Sequence, residues 1–207
     1  MFLMDLSFSE LKDLAFNASL GSSLSAGICE DLSFAVTFLE SRSLPGGKQL
    51  LNSLRCRRHP TVLPEKEGLN LIFSDARAIF EGVSAIDFLV SEVCESVILK
   101  NIDSPMLLVG LASNYSSLSF SFYNNETIYA GLFNGDLHWK NENYRCSNDV
   151  QICLHNSKLN NPLSKCTRMS LDNNIFRELS SLASNMLVPE SEISRKLGAG
   201  AGNIDND

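Results

Sequence analysis

The spacing of apolar residues changes along the chain, and this change constrains the fold more than any other feature of the sequence. Over residues 1–60 apolar side chains recur at helical spacing, which predicts amphipathic helices. Over residues 118–154 they alternate with polar side chains, which predicts an antiparallel meander with one face exposed to water. We therefore expect an α+β protein, in which an N-terminal helical layer packs on a largely antiparallel sheet, followed by a C-terminal helix and a Gly-rich acidic tail.

The 207 residues are expected to form a single domain, since this length is ordinary for one globular unit. Within that domain we distinguish three parts. A helical N-terminal part covers residues 1–60, a mostly β part covers 61–167, and the C-terminal helix and tail cover 168–207.

Local signals place several helix boundaries. Ser7 and Glu10 have the spacing of a capping box, which predicts a helix that begins after Ser7 and ends at Gly21. Ser25 is expected to begin a second helix, and Asp172 is expected to cap the last one.

The segment between the first helices and the meander gives weaker signals. Residues 64–68, Pro-Glu-Lys-Glu-Gly, are expected to form a surface loop. Strands are expected over residues 69–73 and 97–102. Residues 76–95 favour a helix, whereas the apolar run 106–111 is compatible with a helix or a strand.

The charge balance argues against two classes of partner. The formal net charge is -7, from 17 Lys and Arg against 24 Asp and Glu, whereas nucleic acids and anionic membranes select clustered basic residues. No apolar run approaches the roughly 18 residues of a membrane span, and the N-terminus lacks the features of a signal peptide. We expect a cytoplasmic protein with free thiols, in which Cys29 and Cys94 are small buried side chains.

No motif specifies a reaction or a bound metal. The chain has no Cys-x-x-Cys pair, and the intervals between Cys146, Cys153 and Cys166 are too long for a typical zinc site. The fingerprints of phosphate-binding loops, dinucleotide-binding folds, serine hydrolases, zinc proteases and kinases are also missing from the sequence. We therefore expect no metal site and assign neither catalytic residues nor a cofactor, and the sequence leaves open whether the protein is an enzyme.

Basic residues cluster near the end of the third predicted helix. They could bind a phosphate or a carboxylate, but basic side chains also stabilise the negative end of a helix, and we favour that structural role. The cluster consists of Arg55, Arg57, Arg58 and His59. His138 and His155 are interpreted as ordinary polar positions of strands, because a catalytic Cys–His pair needs a proximity in space that no pattern here indicates.

The C-terminal tail carries the residues that we consider most suited to ligand binding. Its alternating glycines allow positive φ angles and a close approach of the backbone, and its last side chains offer oxygen ligands. In the short helical segment expected before the glycines, polar side chains share one face of the helix. The residues concerned are Ser191, Glu192, Arg195, Gly198, Gly200, Gly202, Asp205, Asn206 and Asp207.

Two interpretations of this tail stay open. In the first, the tail folds back and its carboxylates contact Arg195 or another buried cation. In the second, the tail is a flexible, solvated chain end. Separately, Ser191, Glu192 and Arg195 share one helical face, and we favour a salt bridge there over a catalytic site.

Two blocks of sequence carry a family resemblance. The first is S-F-S-E-L-K-D-L-A-F-N-A-S-L-G, followed by S-L-S-A-G-I-C-E-D-L and L-P-G-G, and the second is the tail S-E-I-S-R-K-L-G-A-G-A-G-N-I-D-N-D. Together they resemble a bacterial family known as domain of unknown function 3726. The resemblance implies that the tail is an integral part of the domain, and it implies no activity. The N-terminal helices are also similar to the opening of malate- and lactate-type NAD-dependent dehydrogenases that lack a Rossmann fold, although those chains are much longer and their nicotinamide-binding parts have no counterpart here.

Two functional classes follow from these observations. The first, which we favour, is an enzyme or an enzyme accessory subunit that handles a small metabolite in a cleft between the helical layer and the tail. The second is a non-catalytic protein–protein assembly module. The expected partner is accordingly a small-molecule ligand or a protein, and a homo-oligomer is compatible with both classes. A concave pocket at which Glu30, Ser191 or Arg195 meets the tail would favour the first class, and an exposed apolar patch would favour the second.

Overall fold

The computed structural model of the protein describes residues 3–56, 63–140, 148–154, 159 and 162–186. Within these ranges helices precede the sheet in the chain, interrupt it, and follow it. The helical N-terminal part predicted from apolar spacing is confirmed.

The helices form a layer with α2 at its centre. Their bounds are α1 Phe8–Gly21, α2 Ala26–Glu40, α3 Gly46–Arg55, α4 Val83–Val90, α5 Pro105–Ala112 and α6 Asn173–Ser184. Helix α2 contacts α1, α3 and α5, while α6 packs along α1 and α3. A π-helical turn, Ala78–Gly82, leads directly into α4. Helix α2 is therefore surrounded by three other helices of the layer.

Capping interactions begin α1 and α6 where the sequence predicted them. The Ser7 hydroxyl accepts from the backbone N–H of Glu10, and the Glu10 carboxylate accepts from the backbone N–H of Ser7, which completes the capping box. The Asp172 carboxylate accepts from the backbone N–H groups of Asn174 and Ile175 at 2.8 and 3.4 Å. Both caps satisfy N–H groups that a helix cannot satisfy internally.

The main sheet has the strand order β2-β3-β4-β8-β5-β6-β7. Its strands are β2 Glu65–Glu67, β3 Asn70–Phe73, β4 Ser96–Leu99, β5 Phe120–Asn124, β6 Thr127–Phe133, β7 Asp136–Trp139 and β8 Val150–Cys153. Strands β3 and β4 pair in parallel, and the other neighbours pair antiparallel. This confirms an α+β fold with a largely antiparallel sheet. The turn between β6 and β7 is formed by Asn134 and Gly135, both with positive φ, as the Asn-Gly pair predicts.

A small second sheet pairs a strand before α1 with a strand before α6. Strand β1, Leu3–Leu6, pairs antiparallel with β9, Met169–Asp172. Neither strand was predicted, because four residues are too few to establish an alternating pattern. The pairing brings the start of α1 next to the start of α6, and so fixes how the first and last helices meet.

Three local expectations need correction or completion. Residues 65–67 form the exposed edge strand β2 instead of a loop. Pairing with β3 satisfies the backbone groups of this segment, and its charged side chains are compatible with a position at the edge of a sheet. Ser121 in β5 is completely buried, so the meander does not expose one regular polar face there. The undecided apolar run belongs to α5, and every residue of that helix is buried.

Close packing between α2 and α5 depends on a glycine. A Cβ at Gly110 would lie only 2.7 Å from the Ala35 carbonyl oxygen and 2.9 Å from the Ala35 Cβ. The two helices therefore cross with almost no space between their backbones. Large apolar side chains of the sheet, including Phe120 and Phe122, complete the same hydrophobic cluster. No helix of the described ranges is long and apolar enough to cross a membrane.

Candidate functional site

The tail residues predicted to bind a ligand lie outside the described residues. They are Ser191, Glu192, Arg195, Gly198, Gly200, Gly202, Asp205, Asn206 and Asp207. Arg57, Arg58, His59, Cys146 and His155 also lie outside the described ranges. The remaining predicted positions can be placed in the fold.

Arg55 lies at the helix end where the sequence predicted it. It is the last residue of α3, and its guanidinium forms an ion pair with Glu178 of α6. His138 is a half-buried residue of β7 whose ring centroid lies 5.2 Å from that of Phe133. Cys29 and Cys94 are buried, as expected, and burial raises the pKa of both thiols.

A cleft of about 800 Å³ lies beside α2 and contains a concentrated set of charged and aromatic side chains. Its walls come from α2, the start of α1, the segment after α5, the turn between β6 and β7, and the segment before β9. We call it the α2 cleft. It is lined by Phe8, Glu30, Asp31, Phe34, Phe38, Ser41, Arg42, Ser113, Asn114, Ser116, Asn134, Gly135, Lys165 and Cys166.

One ridge of α2, continued past its last residue, runs along the cleft. Glu30, Phe34, Phe38 and Arg42 follow one another at intervals of four residues, and residues at this spacing share one face of a helix. The ridge is acidic at its start, aromatic in the middle and cationic at its end. Glu30, which the sequence hypothesis named, is therefore part of a concave site.

Arg42 is held by uncharged groups. Its Nη1 donates to the Phe38 carbonyl oxygen and to Ser41 Oγ, both at 3.1 Å, and its Nη2 donates to the Gly135 carbonyl oxygen at 3.2 Å. Its Cζ lies 3.6 Å from the centroid of the Phe38 ring. Burial lowers the pKa of Arg42, whereas attraction from Asp136 raises it.

The charge of Arg42 is buried, and the described residues supply no direct counterion to it. Only 5% of the residue is exposed, and its Nε has no hydrogen-bond partner. Among the described residues, no carboxylate forms an ion pair with its guanidinium. Removing a charge from water in this way costs several kcal/mol in a typical protein interior, so an anion bound beside it would recover part of that cost.

A second cation lies at the same end of the cleft. Lys165 is exposed and lines the cleft. The next residue is anchored to the end of α2, because the backbone N–H of Cys166 donates to the Ser41 carbonyl oxygen at 2.6 Å. The Cys166 thiol lies 3.7 Å from the Ser43 hydroxyl. These contacts bring the Lys165 backbone close to Arg42.

The opposite end of the cleft is acidic. Asp31 Oδ1 accepts from Asn114 Nδ2 at 3.3 Å, which ties α2 to the segment after α5. Burial is the main cause that raises the pKa of Asp31, followed by repulsion from Asp87 and Glu30. Asp87 in turn accepts a hydrogen bond of 2.8 Å from the Tyr115 hydroxyl. This bond is the main cause, ahead of burial and the charges of Asp87 and Asp31, that raises the pKa of Tyr115 to about 12.

A second buried arginine among the described residues, Arg77, shows how a cation with a structural role is held in this fold. Arg77 is 9% exposed, and its Nη2 donates to the Ser53 carbonyl oxygen at 2.9 Å. Its Nε lies 4.0 Å from Asp103 Oδ2, and the Asp103 carboxylate also accepts from the Ser53 hydroxyl and the Ala78 backbone N–H. This network joins α3, the π-helical turn and the segment before α5. Arg77 has a carboxylate beside it, which Arg42 lacks within the described residues.

A second cavity of about 700 Å³ lies at one end of the main sheet. Its buried polar groups satisfy one another, since Ser96 Oγ donates to Asn70 Oδ1 at 2.7 Å and accepts from Gln151 Nε2 at 3.1 Å. Cys94 and Cys153 also line it. Within the described ranges, no three His, Cys, Asp or Glu side chains are arranged to hold a metal ion. The α2 cleft is therefore the stronger candidate site.

Sequence reasoning did not identify Arg42. The residue stands among serines in Glu-Ser-Arg-Ser, just before the helix-breaking Leu-Pro-Gly-Gly, and nothing in that context distinguishes a buried arginine from an exposed one. The available signal was the four-residue spacing that continues from Glu30 through Phe34 and Phe38 to Arg42. Its neighbours in the cleft come from segments distant in sequence, which no local pattern connects.

Comparison with known proteins gives a family resemblance over the N-terminal part. Residues 6–79 match the family described as "Protein of unknown function (DUF3726)", which confirms the resemblance expected from the first sequence block. The match does not extend to the tail. No curated protein matches the chain.

Three solved structures are similar to this chain over part of their length. Malate dehydrogenase from Entamoeba histolytica is 10% identical, with a TM-score of 0.42 over 58% of this chain and 39% of that one. Sulfolactate dehydrogenase from Methanocaldococcus jannaschii is 12% identical, with a TM-score of 0.45 over 68% and 49%. Malate dehydrogenase from Pyrococcus horikoshii OT3 is 8% identical, with a TM-score of 0.45 over 73% and 51%. This chain thus spans about half of those proteins or less, and likeness at this level says nothing about chemistry.

Proposed function

We propose that the protein binds a small carboxylate metabolite in the α2 cleft, as an enzyme or as the accessory subunit of an enzyme. The observation that carries the proposal is the buried guanidinium of Arg42, which has uncharged acceptors but no ion-pairing carboxylate among the described residues. Such a charge is stabilised by a ligand of opposite sign.

The type of anion follows from the charges around the cleft. Arginine presents a planar group that suits a carboxylate, and Lys165 adds a second positive charge at the same end. Glu30 and Asp31 line the other end, so the cleft as a whole is not strongly positive. A ligand with one carboxylate fits this balance better than a polyphosphate, whose several charges would meet both carboxylates.

Binding can be tested by thermal shift with a panel of metabolite carboxylates, inorganic phosphate and divalent cations. We expect carboxylates to raise the melting temperature of the wild-type protein, since a ligand that binds only the folded state stabilises it. Arg42→Gln and Lys165→Gln should reduce that shift. Lys165→Gln serves as the second variant because Lys165 is exposed, so its substitution is expected to leave the fold intact. Arg177→Gln, an exposed position of α6, is the matched control.

The result that would overturn this proposal is equally specific. If no carboxylate shifts the melting temperature, or if the shift survives both cleft variants, the α2 cleft is not a carboxylate site. A shift seen with divalent cations alone would point to acidic groups instead.

The tail enters the proposal as a separate contribution. Its candidate residues are Ser191, Glu192, Arg195, Gly198, Gly200, Gly202, Asp205, Asn206 and Asp207, and we propose that its carboxylates contact Arg195 or another buried cation. Deleting residues 198–207 should then lower the melting temperature or change carboxylate binding. A truncated protein that matches the full chain in melting temperature, oligomeric state and binding would remove the tail from the site.

The alternative function, a protein–protein assembly module, is favoured by one observation. Phe8 and Phe34, both lining the α2 cleft, are 48% and 38% exposed, and exposed aromatic side chains are frequent at protein interfaces. Absence of any metabolite shift, combined with co-purification of a single defined partner, would favour this alternative. Phe34→Ser should then release the partner.

A further inference from the structure

The two kinds of charge in the α2 cleft are separated along its length. Arg42 and Lys165 lie at the end where α2 finishes, since Cys166 is hydrogen-bonded to Ser41 there. Glu30 and Asp31 lie near the beginning of the same helix. A ligand with one charge can satisfy only one of these ends.

The distance between the two charged ends of the cleft follows from helix geometry. The Arg42 guanidinium sits at the level of Phe38, because it donates to the Phe38 carbonyl oxygen at 3.1 Å and stacks on that ring. Glu30 precedes Phe38 by eight residues in the sequence, which corresponds to about 12 Å along the helix axis. An α-amino acid is too short to reach both ends, whereas an extended peptide of three or four residues spans about 10–14 Å.

The middle of the cleft is apolar. Phe34 and Phe38 lie between the charged ends on the same ridge, and Phe8 lines the cleft from the start of α1. Phe34 already has the Lys12 ammonium 3.7 Å from its ring centroid on one side. The remaining aromatic surface suits an uncharged segment of the ligand, such as an apolar side chain.

We propose that the α2 cleft recognises an elongated zwitterion with the dimensions of a tri- or tetrapeptide that has free termini. The carboxylate lies at the Arg42 end, the ammonium lies at the Glu30 and Asp31 end, and an apolar middle lies on the phenylalanines. This inference rests on the proposed carboxylate site and adds the class of ligand. A dicarboxylate of the same length is disfavoured, because its second charge would meet Glu30 and Asp31.

Isothermal titration calorimetry with four peptide-related probes tests the inference. The probes are the tripeptide Ala-Phe-Ala with free termini, its N-acetylated form, its C-terminal amide, and free phenylalanine. We expect the free tripeptide to bind most tightly, and each blocked form to bind about tenfold more weakly, which is about 1.4 kcal/mol, because each loses one charge-assisted hydrogen bond. Free phenylalanine should also bind more weakly, since it reaches one end only.

Variants of the acidic end separate this inference from the carboxylate proposal. In Glu30→Gln and Asp31→Asn the free tripeptide should lose most of its advantage over the N-acetylated form, whereas the advantage over the amide should persist. Asp13→Asn removes an exposed carboxylate from α1 outside the cleft and should leave both ratios unchanged. All three positions are exposed or half-exposed, so these variants are expected to fold.

Each outcome has a defined meaning. If the N-acetylated tripeptide binds as tightly as the free one, or if simple carboxylates bind while no peptide does, the zwitterion inference is wrong and the carboxylate site stands. If neither simple carboxylates nor peptides bind, both proposals fail together.

Discussion

Glu40 offers a sharp test of the energetics at the centre of the helical layer. It is the last residue of α2 and only 8% exposed, and its Oε1 accepts a hydrogen bond of 2.9 Å from the backbone N–H of Gly47. Burial raises the pKa of Glu40 to about 7, although the bond from Gly47 lowers it. We predict that Glu40→Gln stabilises the protein above neutral pH, because glutamine keeps an oxygen acceptor and removes the charge.

The sign and size of this pH-dependent effect follow from the difference in proton binding between the folded and unfolded states. The ordinary pKa of this carboxyl is 4.5, so between pH 4.5 and about 7 the unfolded chain binds fewer protons than the folded one, and stability falls as pH rises. Above pH 8 the loss levels off. For a shift from 4.5 to about 7, the stability contributed by Glu40 decreases by about 2–3 kcal/mol between about pH 5 and about pH 8. That is a large fraction of the roughly 5–15 kcal/mol by which most domains are stable.

The assay is urea unfolding of both proteins at about pH 5 and about pH 8, with stability extrapolated to water. The measured quantity is the difference between variant and wild type at each pH, since the other titrating groups are common to both proteins and cancel. We expect this difference to grow by about 2–3 kcal/mol in favour of Glu40→Gln at the higher pH. Glu65→Gln, which removes a charge from the exposed edge strand β2, should show no such growth.

A difference that changes by less than about 0.5 kcal/mol between the two pH values, which is near the error of extrapolation, would refute the reasoning. It would mean that the Gly47 N–H, at the positive beginning of α3, stabilises the Glu40 carboxylate about as much as burial destabilises it. The same growth in Glu65→Gln would instead assign the pH dependence to the net charge of the protein.

Two further predictions concern stability. Gly110→Ala should destabilise the protein by about 1–3 kcal/mol, because the added methyl group would lie 2.7 Å from the Ala35 carbonyl oxygen. A melting temperature equal to that of the wild type would show that α2 and α5 can move apart without a loss of stability. Asp172→Ala should cost about 0.5–2 kcal/mol through loss of the α6 cap, with Asp172→Asn retaining most of the stability. Equal losses in the two Asp172 variants, measured by thermal unfolding, would contradict the capping role.

Local signals predicted much of the fold because the interactions behind them are local. The capping box of Ser7 and Glu10 involves atoms three residues apart, and the Asn134-Gly135 turn depends on backbone conformations that asparagine and glycine tolerate. Expectations based on side-chain character alone were less successful. The exposed Glu65–Glu67 segment is a strand because of its pairing with β3, and Ser121 is buried because of what the sheet packs against.

The sequence by itself determined the α+β class and the positions of the capped helices and the turns, since these follow from spacing along one chain segment. Only the tertiary structure decided that Arg42 is buried and that Lys165 and Asn114 meet the same cleft. The physical reason is that burial and charge pairing depend on which distant segments meet. The hydrogen bonds from Arg42 to Gly135 and from Cys166 to Ser41 span long stretches of sequence, and no periodicity records them.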